Sequence, residues 1–517
     1  MKKNFIINKG IFFIGLLAIC LGGCFDLEET PISIVAPEVY FSTEDDVETA
    51  IFGAYTHFVS ETVYGRQFTT VLAILDDICD ILDPGTVLDR RNMNNLKVDP
   101  GCSMISTFWP RIFRAIGAAN TAIDGVGKIN ITDQARANAL EAEGRMIRAH
   151  CYFNLIRLFG DVPYLDEAVT DPKAVAEMSR TPITEIYPKL IEDCLFAIQW
   201  LPDKYPSNIR CRSTKGAAKT MLAYIYITLG DYANAAKYAV EVINERVNYG
   251  YELMADYTDL WDGAARTGDV AEYIWTIDFK EGTSDDMWAP MTGVRGGAGA
   301  REGVGGWSVV GPSHGYLAMF DTEDLRIEST FLLEGEMSVG TTSELQYYTE
   351  WVWTYNIARP HFGKYRKYPG ALSDAEGRYS GRNFNFYRFA EVYLLAAEAL
   401  TEVNNGPTTE ALDYLNLIRQ RAGVSNYASG MAKTEFINAV LKERMLEFGC
   451  EYKRWFDIVR RDLGAEVFGS NTIETNMNAN DGNGQHNSSM WTTKNYLLPI
   501  PQAELDRCPN LTQNRGY

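Results

Sequence analysis

The sequence is poor in the residues on which metal and covalent chemistry depend. Five histidines stand among 517 residues, and none falls in an H-E-x-x-H or comparable metal-ligating spacing. No pair of its nine cysteines has the C-x-x-C spacing, which argues against zinc and thioredoxin-like sites. The glycine run that starts at Gly293 is not followed by G-K-[ST], so it is no phosphate loop. Basic residues are in deficit, 48 Lys and Arg against 68 Asp and Glu, and the net charge is −20. Such a field repels a phosphate backbone, so no nucleic-acid partner is expected. No apolar run reaches the roughly 20 residues of a transmembrane helix. Gly and Pro are too few for a collagen-like or low-complexity chain. With 46% hydrophobic residues there is ample apolar surface to offset chain entropy. The length alone is a soft prior for about three domains or one large one.

What is present begins with targeting. Lys2 and Lys3 precede a nearly unbroken apolar run over residues 11–21, the n-region and h-region of a signal peptide. The run ends in Leu21-Gly22-Gly23-Cys24, which resembles a bacterial lipobox with Cys24 as the lipidated first residue after cleavage. The alternative is ordinary secretion with a chance cysteine. Several acyl chains on one residue anchor a protein durably, at about 0.8 kcal/mol per buried CH₂. Residues 25–29 are mostly acidic and suit an exposed tether. The seven cysteines beyond the targeting segment are scattered, and Cys151 and Cys194, within helical patterns, read as small core residues.

The mature chain reads as mostly helical. In 133–159, Leu140, Gly144, Ile147, Cys151, Leu155 and Leu158 recur at three- and four-residue spacing, with Asp133 as a cap. Residues 213–229 and 232–244 form a helical hairpin turned at Gly230-Asp231. Tyr226, Gly230, Tyr232, Ala235 and Ala239 fall there at tetratricopeptide offsets. A similar pair spans 389–400 and 409–422, and another helix runs over about 434–448. Residues 83–106 and 280–384 read as loop-rich, the latter with a strand-like stretch at 347–355. Asp76, Asp77 and Asp80 read as a solvated acidic face. Residues 478–487 look only loosely like a calcium loop and lack its closing Glu.

A series of motifs, in order along the chain, is similar to the SusD/RagB-like lipoproteins of Bacteroidetes. They are Cys24-Phe25-Asp26-Leu27, then Tyr40-Phe41-Ser42-Thr43-Glu44-Asp45-Asp46, then Trp109 with Ala119-Asn120. Arg148-Ala149-His150-Cys151-Tyr152-Phe153 and Phe159-Gly160-Asp161-Val162-Pro163 follow. Later come Arg388-Phe389-Ala390-Glu391, Lys442-Glu443-Arg444 with Glu447-Phe448-Gly449, Leu498-Pro499-Ile500-Pro501 and Asn510-Leu511-Thr512-Gln513-Asn514-Arg515-Gly516-Tyr517. The resemblance implies a mainly α fold, a tetratricopeptide-like helical scaffold with a loop-rich, partly irregular ligand-facing insertion. It divides the chain into a signal peptide (1–23), an acylated tether (24–36) and one domain (37–517). That domain comprises an N-terminal helical part (37–270), the insertion (271–384) and C-terminal helices with a tail (385–517). It implies a surface-exposed, outer-membrane, lipid-anchored protein without catalytic activity or cofactor. Such a protein binds oligosaccharide or another nutrient and partners a SusC-like TonB-dependent transporter. It makes Trp109 and Trp455 scaffold residues.

Sugar rings pack their C–H faces on aromatic rings, and their hydroxyls pair with Asn, Asp and Arg. Trp288 and Trp307 flank the glycine-rich run and are expected as platforms. Arg90, Arg91 and Asn92 in the loop before Trp109, and Arg295, Tyr347 and Trp351 in the insertion, complete the expected binding set; no metal ligand or catalytic group is assigned. Two other readings stand beside this one. One is a tetratricopeptide-type scaffold that binds only protein. The other is a secreted serine hydrolase, since Gly311-Pro312-Ser313-His314-Gly315 matches the G-x-S-x-G nucleophile elbow.

Overall fold

The computed structural model describes residues 41–83, 85–261, 270–280, 283, 286–293, 307–332, 361–365, 383–469 and 491–517, with strand pairing also at 337–338 and 345–346. The Cys24 anchor, its tether, Arg295, Tyr347, Trp351 and the 478–487 segment lie outside the described residues.

The elements that carry the fold are α1 (Glu44–Tyr55), α2 (Gln67–Ile74), β1 (Cys79–Ile81), α3 (Leu88–Asn94), α4 (Ser103–Lys128), α5 (Gln134–Phe159), α6 (Ile183–Trp200), α7 (Lys215–Leu229) and α8 (Tyr232–Asn244). After these come β2 (Tyr273–Ile277), β3 (Val310–Pro312), β4 (Phe384–Arg388), α9 (Phe389–Val403), α10 (Thr409–Arg421), α11 (Lys433–Glu447) and α12 (Arg454–Arg460). From α4 to α10 each helix packs on the next, and α1 lies across α4. Successive antiparallel helices that bury shared faces are how tetratricopeptide units stack. The fold is thus the mainly α scaffold expected. Among the described residues the main hydrophobic core runs from Phe41 to Ile500, with Trp109 and Trp455 inside, beside a small cluster around Tyr257 and Trp261.

Local chemistry sets the boundaries. Asp133 accepts from the N–H groups of Ala135 and Arg136 and starts α5, as the sequence predicts. Gly230, at φ 75°, ends α7, and the Asp231 carboxylate then caps α8 through Asn234 N–H at 3.1 Å. Gly144 lets α4 and α5 touch, since a Cβ there would lie 2.8 Å from Ile123 Cγ1.

Two expectations are corrected. Residues 83–106 hold the helix α3 and the start of α4 rather than one loop. Their polar side chains satisfy neighbouring backbone: Asn94 Nδ2 donates to Ile74 O at 3.2 Å, and Asp89 accepts from Ser103 N–H at 2.8 Å. The Asp76–Asp80 turn is not a solvated face. Asp76 and Asp80 are buried. Asp76 accepts from the N–H groups of Ile78 and Cys79, and Asp77 pairs bidentately with Arg454 at 2.7 and 2.8 Å.

The motifs near the C-terminus are joined by buried ion pairs. Arg388 pairs with Glu272, with Glu447 at 3.0 Å and with Glu451 at 2.7 Å. Glu447 also holds Arg421 at 2.5 Å and Arg326 at 3.3 Å. Arg444 binds Asp457 at 2.8 Å and Glu391 at 3.3 Å. Burial alone would raise the Glu447 carboxyl, but Arg421, Arg388 and Arg326 outweigh it and hold it far below the ordinary range. This network fastens β2, β4 and the base of the insertion to α11. The tail closes the molecule: Asn514 Nδ2 donates to Phe159 O and Leu498 O at 2.9 and 2.7 Å.

Candidate functional site

Two short strands bring the loop before Trp109 and the insertion together. β1 and β3 are antiparallel, with Cys79 opposite Pro312 and Ile81 opposite Val310. Just beyond the pair, Leu82 N–H donates to Val309 O at 2.9 Å. On one side of β1, Asn94 of α3 accepts from Ile81 N–H at 3.4 Å. On the other, 307–309 runs along the helical turn Trp288–Thr292, with Trp307 N–H donating to Pro290 O at 2.6 Å and Val309 N–H to Met291 O at 2.9 Å. The helix carrying Arg90, Arg91 and Asn92 and the segment carrying Trp307 therefore flank one small sheet.

Within this rim the expected residues differ in availability. Arg91 is exposed, and Arg90, Asn92 and Trp307 are half-buried. Arg90 Nη1 donates to Thr86 Oγ1 at 3.0 Å. Burial, reinforced by nearby Arg66, lowers the Arg90 pKa. Sequence reasoning passed over Arg66, which pairs with Glu61. It sits beside Gly65, whose carbonyl accepts from Met287 N–H at 2.8 Å. Only folding joins that segment to α3, so spacing offered no signal for it.

Trp288 is a correction. It was expected as an exposed platform beside the glycine run, but it is 2% exposed. Its ring meets Tyr452 edge-on at 5.1 Å and Tyr365 at 6.3 Å between centroids. The turn that follows Asp286, whose carboxylate accepts from Trp288 N–H at 3.0 Å, aims the indole into the core. Trp288 is a packing residue in this structure.

Ser313 does not have an elbow's chemistry either. It is buried, and its Oγ donates to Asp77 O at 2.8 Å. His361 Nε2 bonds instead to Ser308 Oγ. The short strand before Ser313 belongs to a two-stranded antiparallel sheet, not to the parallel sheet of a hydrolase. Ser313 also makes no side-chain cap on the turn His314–Leu317; it ties β3 to the α2–β1 connection.

Among the described residues, a small, partly open cavity of about 30 Å³ lies between α5, α7, β4 and α12, far below the several hundred Å³ of an ordinary ligand pocket. Among the described residues, no group of three His, Cys, Asp or Glu could hold a metal ion. The described part of the rim carries Arg and Asn side chains on one side and, on the other, the half-buried Trp307, which packs partly against the core.

Comparison with known proteins agrees with this architecture. The model of the SusD family matches residues 271–517. A second model, described as starch-binding associating with outer membrane, matches residues 86–227. The SusD-like protein P2 of Formosa agariphila is 38% identical, covering 98% of this chain and 99% of its own. The SusD-like protein P25 of the same organism is 25% identical over 99% of each. Among solved structures, a SusD homolog from Bacteroides thetaiotaomicron superposes with a TM-score of 0.78 at 23% identity, covering 93% of this chain and 98% of that one. Surface glycan-binding protein A of the same species, in complex with laminarihexaose, gives 0.73 at 22% identity over 92% and 99%. The helical array, its small sheets, the tail that closes on α5 and a relative of this identity over the whole length place the chain in the SusD family.

Proposed function

We infer that the protein is a non-catalytic, cell-surface glycan-binding lipoprotein. It captures oligosaccharide at the outer membrane and passes it to a SusC-like TonB-dependent transporter. What supports the reading is the SusD-family scaffold, on which the segments carrying Arg90, Arg91 and Asn92 and carrying Trp307 both border the β1–β3 pair. Surface glycan-binding protein A, of the same fold, is known in complex with laminarihexaose. Arg295, Tyr347 and Trp351 of the insertion are further ligand contacts in this proposal. A shallow site of one or two aromatics stays wet and gains modest energy per sugar, so affinity is weak, on the order of 10 μM to 1 mM. Weak capture suits a protein that hands on its cargo. The lipobox-like Cys24 supplies the anchor.

Cross-linking on intact cells tests the handover. The proposal expects one outer-membrane transporter as the main adduct, enriched when the glycan is the carbon source. Adducts confined to unrelated surface proteins would refute that half of the reading and favour a protein-interaction scaffold. The glycan half is tested by calorimetry with purified protein.

A further inference from the structure

Arg157, in the last turn of α5, has no role in the glycan reading. It is 9% exposed, and its guanidinium is sandwiched between the rings of Phe153 and Phe456, 3.8 and 3.6 Å from their centroids. Nε donates to Phe153 O at 2.9 Å and Nη2 to Asn154 Oδ1 at 2.7 Å. Nη1 is buried with no protein hydrogen-bond partner. Among the described residues, no carboxylate forms an ion pair with it. Arginine cannot shed its proton in a protein, and a buried charge without a counter-ion is strongly unfavourable. The buried arginines Arg326, Arg388 and Arg444 have carboxylate partners, whereas buried Arg210, like Arg157 without an ion pair, donates to the Tyr249 and Gly250 carbonyls.

Arg157 lines the cavity of about 30 Å³ together with Tyr224, Asn385, Lys453, His150 and Glu451. The Tyr224 hydroxyl and Asn385 Oδ1 are also buried without a protein partner. Which end of the Asn385 amide faces inward is interchangeable by a flip. Lys453 brings a second positive charge; it donates to Phe386 O and lies 3.2 Å from Glu391, a carboxylate already shared with Arg444. Glu451 does not compensate Arg157, because Arg388 and Lys364 occupy both its oxygens at 2.7 to 2.9 Å. Burial, with Arg157 and Lys453 nearby, lowers the His150 pKa well below its ordinary value.

Size and charge together select the occupant. At about 30 Å³ the cavity suits a small ion or a few waters and not a sugar chain. Water alone satisfies donors but leaves the positive charge uncompensated. We propose that this cavity binds a chloride-sized anion held by Arg157 Nη1 and the Tyr224 hydroxyl. The ion joins α5 to α7, and β4 and the start of α12 complete the cavity wall. Partly exposed Asn385 and Lys453 give it a way in. This inference is independent of the glycan-binding reading.

Diffraction from crystals grown in sodium bromide, with bromide anomalous scattering, tests it directly. The expected result is an anomalous peak in the cavity in contact with Arg157. In solution, at fixed ionic strength, the melting temperature rises by several degrees when gluconate, too large to enter, is replaced by chloride, saturating below about 0.1 M. Arg157→Met removes that dependence. Should it fail to fold, Tyr224→Phe keeps the ring packing and raises the chloride concentration for the half-maximal shift severalfold. A cavity without anomalous density, with melting curves equal in chloride and gluconate, would overturn the proposal and leave ordered water as the occupant.

Discussion

Replacing Glu447 by Gln changes almost no volume and removes one buried charge. The wild-type carboxylate faces Arg388 at 3.0 Å, Arg421 at 2.5 Å and Arg326 at 3.3 Å, all buried. The amide keeps one acceptor oxygen but leaves the cluster with one uncompensated positive charge. Breaking a buried pair by removing one partner costs about 3–5 kcal/mol. With a slope of several kcal/mol per molar urea for a chain of this size, the midpoint falls by on the order of 1 M. The pH dependence gives an independent reading. A carboxyl held below its ordinary value contributes its full stability above the unfolded pKa of about 4.3. That contribution is lost as pH falls from there toward the depressed folded value. Glu451 and Asp457 behave alike: burial raises them, but Arg388 with Lys364, and Arg444 with Arg460, hold them low. Wild-type stability therefore drops steeply below about pH 4.5, and Glu447→Gln drops less steeply by about one proton, or 1.4 kcal/mol per pH unit. Urea titrations at pH 7 and from pH 5 down to pH 3 measure both. A midpoint shift under about 0.2 M with parallel acid limbs would refute the assignment of Glu447 as the centre of the network.

Three other outcomes follow from the same structure. Trp288→Ala destabilises by about 3–5 kcal/mol, like Trp455→Ala, because both indoles are buried; Trp307→Ala costs less than half of that, and thermal melts in the reverse order would interchange core and rim. Cys24→Ala leaves the fold intact but releases the protein from membranes and abolishes labelling by lipid precursors; a variant that stays membrane-bound without a transporter would exclude lipid anchoring. Arg91→Ala weakens an acidic oligosaccharide about threefold at low salt and hardly at all in 0.5 M salt. Calorimetry that shows equal losses for neutral and acidic glycans would remove the electrostatic role.

The helices were legible because their apolar spacing, caps and turn glycines are local. Asp133, Gly230 and Asp231 announce in sequence what they do in space. The core status of Trp109 and Trp455 was legible from the family resemblance. The polar residues of α3 misled, because Asn94 and Asp89 bond to backbone that is distant or out of register in sequence, and so look like loop composition. Trp288 misled for the opposite reason: its neighbours Tyr365 and Tyr452 lie 77 and 164 positions away, and a glycine-rich flank says nothing of them. The ion pairs that Glu443 and Glu447 make were not legible, because Arg326, Arg388 and Arg421 come from distant parts of the chain. Of the candidate site, the two contributing regions could be named, but their meeting at β1–β3 depends on a pairing of residues 229 to 233 positions apart.

Calorimetric titration of the purified protein with neutral oligosaccharides of increasing length tests glycan capture most directly. The account predicts measurable heat only once the chain is long enough to cover the rim, with Kd between about 10 μM and 1 mM. It also predicts a loss of at least about tenfold in Trp307→Ala, with melting behaviour close to wild type. Binding unchanged in Trp307→Ala would contradict the rim assignment, and no heat with any neutral or acidic glycan would contradict glycan capture itself.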